Sequence, residues 1–255
     1  KELGIPVVPG SKGAVKDIQD AKSMAAEIGY PVIVKATAGG GGKGMRVAHN
    51  VAALRTAVTA AQQEAIASFG NGAVYLEKFL DNARHVEVQV LGDKHGNAIH
   101  LFNRDCTSQR RHQKLIEEGP APGVDPAIRD AVCESAAELI RTAKYSGAAP
   151  VEFLMNEKQE FFMLEVNTRV QVEHPVTEMI TGVDIVKESI RVAAGETLSW
   201  TQDEIQLNGH AIECRINAED PSQNFMPQPG TIEVWRPAGG PGVRVETHVV
   251  PGYRI

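Results

Sequence analysis

The sequence predicts an α+β protein with a small α/β lobe, a larger lobe of antiparallel strands and the start of a further domain. Three observations carry this. Helical and extended patterns alternate over residues 7–78, around a run of glycines. From Arg84 onward, segments of two-residue alternation follow one another through short polar turns, as antiparallel pairing requires. After Pro227 the chain becomes rich in Gly and Pro. The expected boundaries are a linker remnant at 1–6, the small lobe at 7–78, the large lobe at 79–204 and a partial domain at 205–255.

Taken in order, residues 17–28 place Ile18, Met24, Ala25 and Ile28 at helical spacing, with Gly29 as the stop. Residues 31–35 form a β-branched strand, residues 39–44 a glycine loop, and Met45-Arg46-Val47-Ala48 an extended exit from it. Residues 51–69 read as a long alanine-rich helix and 73–77 as another strand. In the larger lobe His85, Glu87 and Gln89 alternate with valines, and residues 92–96 turn into a strand over 98–102. Helices are expected at 126–143 and 183–194, and strands at 210–216 and 231–235.

Two apolar strands at 151–155 and 161–165 flank the polar turn Asn156-Glu157-Lys158-Gln159-Glu160. Centring that turn between Lys158 and Gln159 pairs Val151 with Val166, Phe153 with Leu164 and Met155 with Phe162. Glu152 then lies opposite Glu165, with Leu154 and Met163 next on the same face. At a separation of about 5 Å and an effective dielectric near 20, the two charges repel by roughly 3 kcal/mol. One carboxyl is protonated, or a Lys or Arg intervenes, or a divalent cation bridges the pair. Mg²⁺ suits the last option, because it is held by one or two carboxylates together with substrate phosphates. If the chain stays extended beyond Glu165, Asn167, Arg169, Gln171 and Glu173 share its face, a row laid out for an anion and a metal.

The loop Gly39-Gly40-Gly41-Gly42-Lys43-Gly44 fits a GxGxxG pattern, but an extended segment follows where a dinucleotide site needs a helix. A Walker loop fails as well, with Gly44 in place of Ser or Thr and Thr37 in place of the first Gly. What remains is a strand–loop–strand flap whose backbone N–H groups at Gly40, Gly41 and Gly42 can close over phosphates, with Lys35 reaching them as a point charge. The alternative is a hairpin tip that binds nothing.

Composition narrows the partners. With 42% hydrophobic and 23% charged residues in 255, the chain can bury a sizeable core. A net charge of −6 argues against nucleic acid, and the cluster Arg110-Arg111-His112-Gln113-Lys114, followed by Glu117 and Glu118, suits a small anion better. Cys106, Cys133 and Cys214 lie far apart, so a zinc site or disulfide scaffold is not expected and a reducing, cytoplasmic setting fits. No apolar run reaches membrane-spanning length, so no membrane partner is expected. The chain begins at Lys1 and reads as a fragment of something longer.

Together these segments resemble the ATP-grasp fold and, within it, the biotin carboxylase family. The matching stretches are Lys35-Ala36 with the glycine loop, Glu77-Lys78-Phe79-Leu80, Arg84-His85-Val86-Glu87, Asp105-Cys106 with Gln109 to Lys114, the Glu152 hairpin, Glu165 to Pro175, and the segment Glu213-Cys214-Arg215-Ile216-Asn217. They cover nearly the whole chain, and residues 165–175 with the Arg215 segment are the most specific.

The resemblance implies ATP- and bicarbonate-dependent carboxylation of biotin on a carrier protein. By matching position, Lys35 and His112 would contact the ATP phosphates. Glu77, Lys78 and Leu80 would hold the adenine with Leu154 against its ring, and His85 and Gln109 would lie near the ribose. Glu152 and Glu165 would hold Mg²⁺ or Mn²⁺, with Asn167 beside them. Lys114, Arg169, Gln171 and the Val172 backbone would bind bicarbonate, Glu173 would be the general base, and Arg215 would stabilise the biotin enolate. Implied partners are a biotin carboxyl carrier, a carboxyltransferase component and a second copy of the full-length protein. The family also has an N-terminal subdomain with a further ATP-contacting lysine, which would precede Lys1.

Overall fold

The computed structural model describes residues 3–38 and 43–255, so the expected phosphate ligands Gly40, Gly41 and Gly42 lie outside the described residues. Two compact units emerge, Lys1–Cys214 and Arg215–Ile255.

The first unit opens with α1 (Ile18–Ile28), β1 (Val32–Ala36), β2 (Met45–Ala48), α2 (Val51–Phe69) and β3 (Val74–Lys78). The strands form an antiparallel sheet in the order β2-β1-β3. Asp17 caps α1 by accepting from the N–H groups of Gln19 and Asp20, both at 2.8 Å, and Asn50 does the same for α2. Val32, Val34, Val74 and Leu76 bury one sheet face against Ala21, Ala25, Leu54, Val58 and Ala61. Alternation then places Lys35, Tyr75 and Glu77 on the opposite face. The direct pairing of β1 with β2 agrees with a strand–loop–strand flap.

A second antiparallel sheet follows. It comprises β4 (Arg84–Gly92), β5 (Ala98–Arg110), β6 (Gln113–Gly119), β7 (Gly147–Met155), β8 (Phe161–Val166) and β9 (Ala211–Cys214), in the order β8-β7-β4-β5-β6-β9. One face buries Val86, Val88, Val90, Val151 and Phe153 under Cys133, Ala136, Ala137 and Ile140 of α3 (Pro126–Thr142). The other face is covered only in part. There α4 (His174–Thr181) packs on β5, β6 and β9, while Ile185 of α5 (Ile185–Ala193) joins Val183 over Leu91, Leu101 and Ala148. The same face carries the acidic side chains, with Glu87 and Glu152 buried and Glu165 exposed.

The segment before α1 ties the two sheets together. Met163 donates its N–H to the Pro6 carbonyl at 2.8 Å, and Lys78 donates its N–H to the Pro9 carbonyl at 2.7 Å. Gly10 bridges Glu77 so closely that a Cβ there would stand 2.8 Å from the Leu76 carbonyl oxygen. In the second unit β10 (Glu219–Asp220) pairs with β11 (Met226–Pro227).

Four expectations need correction. Residues 167–173 are not extended: β8 ends at Val166 and α4 begins at His174. Pro175 in the first helical turn is pre-set for that helix, whereas β8 as an edge strand has little to hold a longer ladder. The strand begun at Ala98 continues to Arg110 and returns as β6, a hairpin the alternation did not disclose. Residues 231–235 form no strand: Thr231 bridges Arg254, and Ile232 donates its N–H to the Tyr253 carbonyl at 2.8 Å and accepts from the Gly252 N–H at 2.7 Å.

The fourth concerns the β7–β8 hairpin. Phe153 pairs with Met163, Leu154 with Phe162 and Met155 with Phe161, one residue off the expected register. The turn is built around Gln159 in the left-handed region, with the Gln159 N–H donating to Asn156, which adds a residue to the loop. A bulge at Leu164 then restores Glu152 opposite Glu165 and Val151 opposite Val166.

Candidate active site

The sheet face on which α4 and α5 pack carries one row of charge across four strands. Glu165 on β8 pairs with Glu152 on β7, Glu152 with Glu87 on β4, and Glu87 with Arg104 on β5. Directly paired residues project to the same side, so three carboxylates stand in succession. Such a row requires cations. Lys114 on β6 supplies one: its Nζ donates to Glu152 Oε1 at 3.1 Å, to Glu173 Oε1 at 2.7 Å, and to Glu87 Oε1. Arg104 supplies the other, donating from Nη2 to Glu87 Oε2 at 3.0 Å.

Glu152 is the most heavily solvated by protein. Its Oε1 accepts from Lys114, from Asn167 Nδ2 at 2.8 Å and from Gln171 Nε2 at 2.9 Å, while Oε2 lies 2.8 Å from His85 Nε2. Burial by itself would raise this carboxyl; the His85 contact, the Lys114 charge and the Gln171 bond outweigh it and hold the pKa at about 2. Burial likewise opposes ionisation of Glu87, but Arg104 and Lys114 prevail and lower it. Lys114 is raised, its desolvation outweighed by Glu87 and the other acids around it. The cluster is therefore ionised throughout this part of the row.

The expected site residues fall into groups. Lys114, Glu152, Asn167, Gln171 and Glu173 converge, and His85 joins them while its Nδ1 meets Gln109 Nε2 at 3.1 Å. Glu165 is exposed beside its partner, and Leu154 lies opposite His85 on the same face. Arg169 is exposed and reaches back to the Val170 carbonyl at 3.3 Å, and Val172 is exposed next to buried Gln171. His112 sits at the exposed β5–β6 turn, where it and Arg111 both adopt positive φ, 63° and 52°. That left-handed pair costs backbone strain that a glycine turn would avoid.

On the smaller sheet, Lys35 ion-pairs with Glu77. Lys78 donates from Nζ to the carbonyls of Gly29 and Tyr30, at 3.1 and 2.7 Å, and Leu80 follows just beyond β3. Arg215 opens the second unit directly after β9.

The residues fit a magnesium ion at the exposed end of the row. Glu152 is ionised, Glu165 faces it, and both offer hard oxygen ligands. Two clusters of three have ligand spacing among the described residues, His85 with Glu87 and Glu152, and Glu87 with Cys106 and Glu173. Neither includes Glu165, and Lys114 already contacts acids of both with its ammonium.

Sequence reasoning missed Arg104, which donates to Gln171 and Glu87, missed Gln89 and Thr177, which accept from that guanidinium, and did not select Glu87. Glu87 had a visible signal in the His85, Glu87, Gln89 alternation. Arg104 had none, lying in a stretch not read as strand.

A family model described as the carbamoyl-phosphate synthase L chain, ATP binding domain matches residues 1–201, and one described as the biotin carboxylase C-terminal domain matches residues 213–255. The chain is similar to biotin carboxylase 1 of Bacillus subtilis, at 53% identity over 100% of this chain and 57% of that protein. Among solved structures it resembles the biotin carboxylase domain dimer of Hydrogenobacter thermophilus 2-oxoglutarate carboxylase, in complex with MgADP, ADP and bicarbonate. The TM-score is 0.96 at 50% identity, over 100% of this chain and 56% of that one. The Campylobacter jejuni biotin carboxylase complex with β-γ-ATP gives the same TM-score, 0.96, at 50% identity and the same coverage, 100% and 56%. The chain spans 57% of the curated relative's length, and its fold is the ATP-grasp fold of these neighbours.

Proposed function

We propose, for a chain that belongs to the biotin carboxylase family, that its parent protein uses ATP and bicarbonate to carboxylate biotin on a carrier protein. The observation that carries this is the meeting of three donors, Lys114, Asn167 and Gln171, at Glu152 Oε1, with the same Lys114 ammonium also donating to Glu173. An ammonium and two amide donors gathered beside Glu173 are suited to holding a small, singly charged oxyanion next to a base.

In this reading Glu173 takes the proton of bicarbonate. The freed oxygen attacks the γ-phosphorus of ATP, the bond to the β–γ bridging oxygen breaks, and ADP leaves with carboxyphosphate remaining. Lys114 and Arg169 neutralise the anion, Gln171 donates to it, and Lys35 and His112 meet the phosphates, where charge stabilisation contributes most to phosphoryl transfer. Magnesium held by Glu152 and Glu165 would neutralise phosphate charge. Carboxyphosphate then yields CO₂ and phosphate, phosphate accepts the ureido proton of biotin, and Arg215 stabilises the enolate that attacks CO₂. The adenine lies by Glu77, Lys78, Leu80 and Leu154, with the small lobe at 7–78 closing on a large lobe at 79–204. A carrier protein, a carboxyltransferase component, self-association and a cytoplasmic location complete the reading. No helix among the described residues is long and apolar enough to cross a membrane.

The test is ATP cleavage by the full-length protein. Turnover that requires bicarbonate and rises with free biotin supports the proposal. Bicarbonate dependence without any response to biotin would assign a different ATP-grasp ligase.

A further inference from the structure

Arg104 has no part in the chemistry above, yet among the described residues it is the largest fully buried side chain. Its Nη1 donates to Gln89 Oε1 and Thr177 Oγ1, both at 3.0 Å, and its Nη2 to Glu87 Oε2 at 3.0 Å and Gln171 Oε1 at 2.9 Å. Those acceptors come from β4, from α4 and from the segment leading into α4. Sealing a guanidinium at 0% exposure is costly, and a position that served packing alone would be better filled by an apolar side chain.

The chemistry of the contact to Gln171 is one-sided. A guanidinium only donates, so the end of the Gln171 amide that faces it must be the carbonyl oxygen. The NH₂ end is thereby turned toward Glu152, where it donates to Oε1 at 2.9 Å, and its second hydrogen remains for a bound anion. Without Arg104 the carbonyl end loses its donor and Glu152 alone holds the amide, which is then free to swing its second N–H away from the anion. The same guanidinium anchors Glu87, one of the acids that hold Lys114.

We infer that Arg104 is a positioning residue for bicarbonate, acting through the amide orientation of Gln171 and the placement of Glu87. This rests on the function proposed above and assigns it a determinant of anion binding outside the anion's own contacts.

The test uses the full-length protein and Arg104→Lys, which keeps the charge beside Glu87 but cannot span four acceptors. The bicarbonate KM is expected to rise about tenfold, the loss of one charge-assisted hydrogen bond, with the ATP KM changed less than about twofold. Combining it with Gln171→Ala should raise the bicarbonate KM no further than Gln171→Ala alone, since both act through one amide. Should Arg104→Lys fail to fold, Thr177→Val removes one acceptor at nearly constant volume and is expected to raise the bicarbonate KM about two- to threefold. An unchanged bicarbonate KM, ATP and bicarbonate KM values rising together, or additive effects of Arg104→Lys and Gln171→Ala would each overturn the inference. Wild-type protein that cleaves ATP without regard to bicarbonate would instead overturn the proposed function, and this inference with it.

Discussion

Glu152 and Glu165 face each other across the β7–β8 ribbon although the turn joining the strands is one residue out of step with that pairing. The extra turn residue, which leaves Gln159 left-handed, and the bulge at Leu164 cancel, so the acids meet while Phe161 and Met155 pair at the tip. A bulge also sharpens strand twist and re-aims side chains near it. Two like charges held together in this way call for a cation.

Removing the exposed member of the pair separates charge repulsion from metal binding. Glu165→Gln is expected to leave unliganded stability within about 0.5 kcal/mol of wild type, as for most exposed substitutions. The thermal stabilisation given by MgADP should fall, because ligand stabilisation scales with the logarithm of affinity. Melting curves with and without MgADP decide it. An unaltered MgADP increment would remove Glu165 from the metal site.

Glu173→Ala is expected to bind ATP normally while losing about 10²-fold or more of bicarbonate-driven ADP release, the usual size of a general-base contribution. Nucleotide binding by calorimetry and ADP release by coupled assay measure the two separately. Normal turnover in this variant would show that another group takes the proton.

Acid should weaken the folded state through Glu152. Its folded pKa of about 2 lies below the ordinary 4.5, so its contribution is present above pH 4.5 and lost as pH falls toward 2. The shift corresponds to on the order of 3 kcal/mol at 1.36 kcal/mol per unit, and the lowered Glu87 acts in the same direction. Glu152→Gln should therefore be less stable than wild type near neutrality and show a shallower acid limb in denaturant titrations. Parallel limbs would contradict the assignment.

Gly119 on β6 lies under α4, and a Cβ there would stand 2.6 Å from Val176 Cγ1. Gly119→Ala is expected to destabilise by about 1–3 kcal/mol through overpacking and to disturb Glu173 at the start of the same helix. Adding Val176→Ala removes the clashing methyl and should recover part of the loss in both stability and turnover. A double variant no better than the single one would point to backbone strain instead.

The elements legible in the sequence are those whose signals are local. The helix expected at 51–69 is α2, Val51–Phe69, because its cap, its period and its stop at Gly70 all lie within it. The helix expected at 126–143 is α3, Pro126–Thr142, for the same reason. By contrast α4 was hidden, since Val170, Val172 and Val176 keep an alternating look across the point where strand gives way to helix.

Read alone, the sequence tells which residues share a face along each strand, and so the meeting of Glu152 with Glu165; Asn167, Gln171 and Glu173 come together off the strand, in the connection between β8 and α4. Which strands stand side by side is settled by the folded chain alone. Arg104 reaches Glu87, Gln171 and Thr177 across sequence separations of 17, 67 and 73 residues because β4 lies beside β5 and α4 folds back over β5. Alternation fixes the direction of a side chain but carries no record of its neighbour across the sheet. The guanidinium that orients the site therefore becomes visible only when the strand order is known.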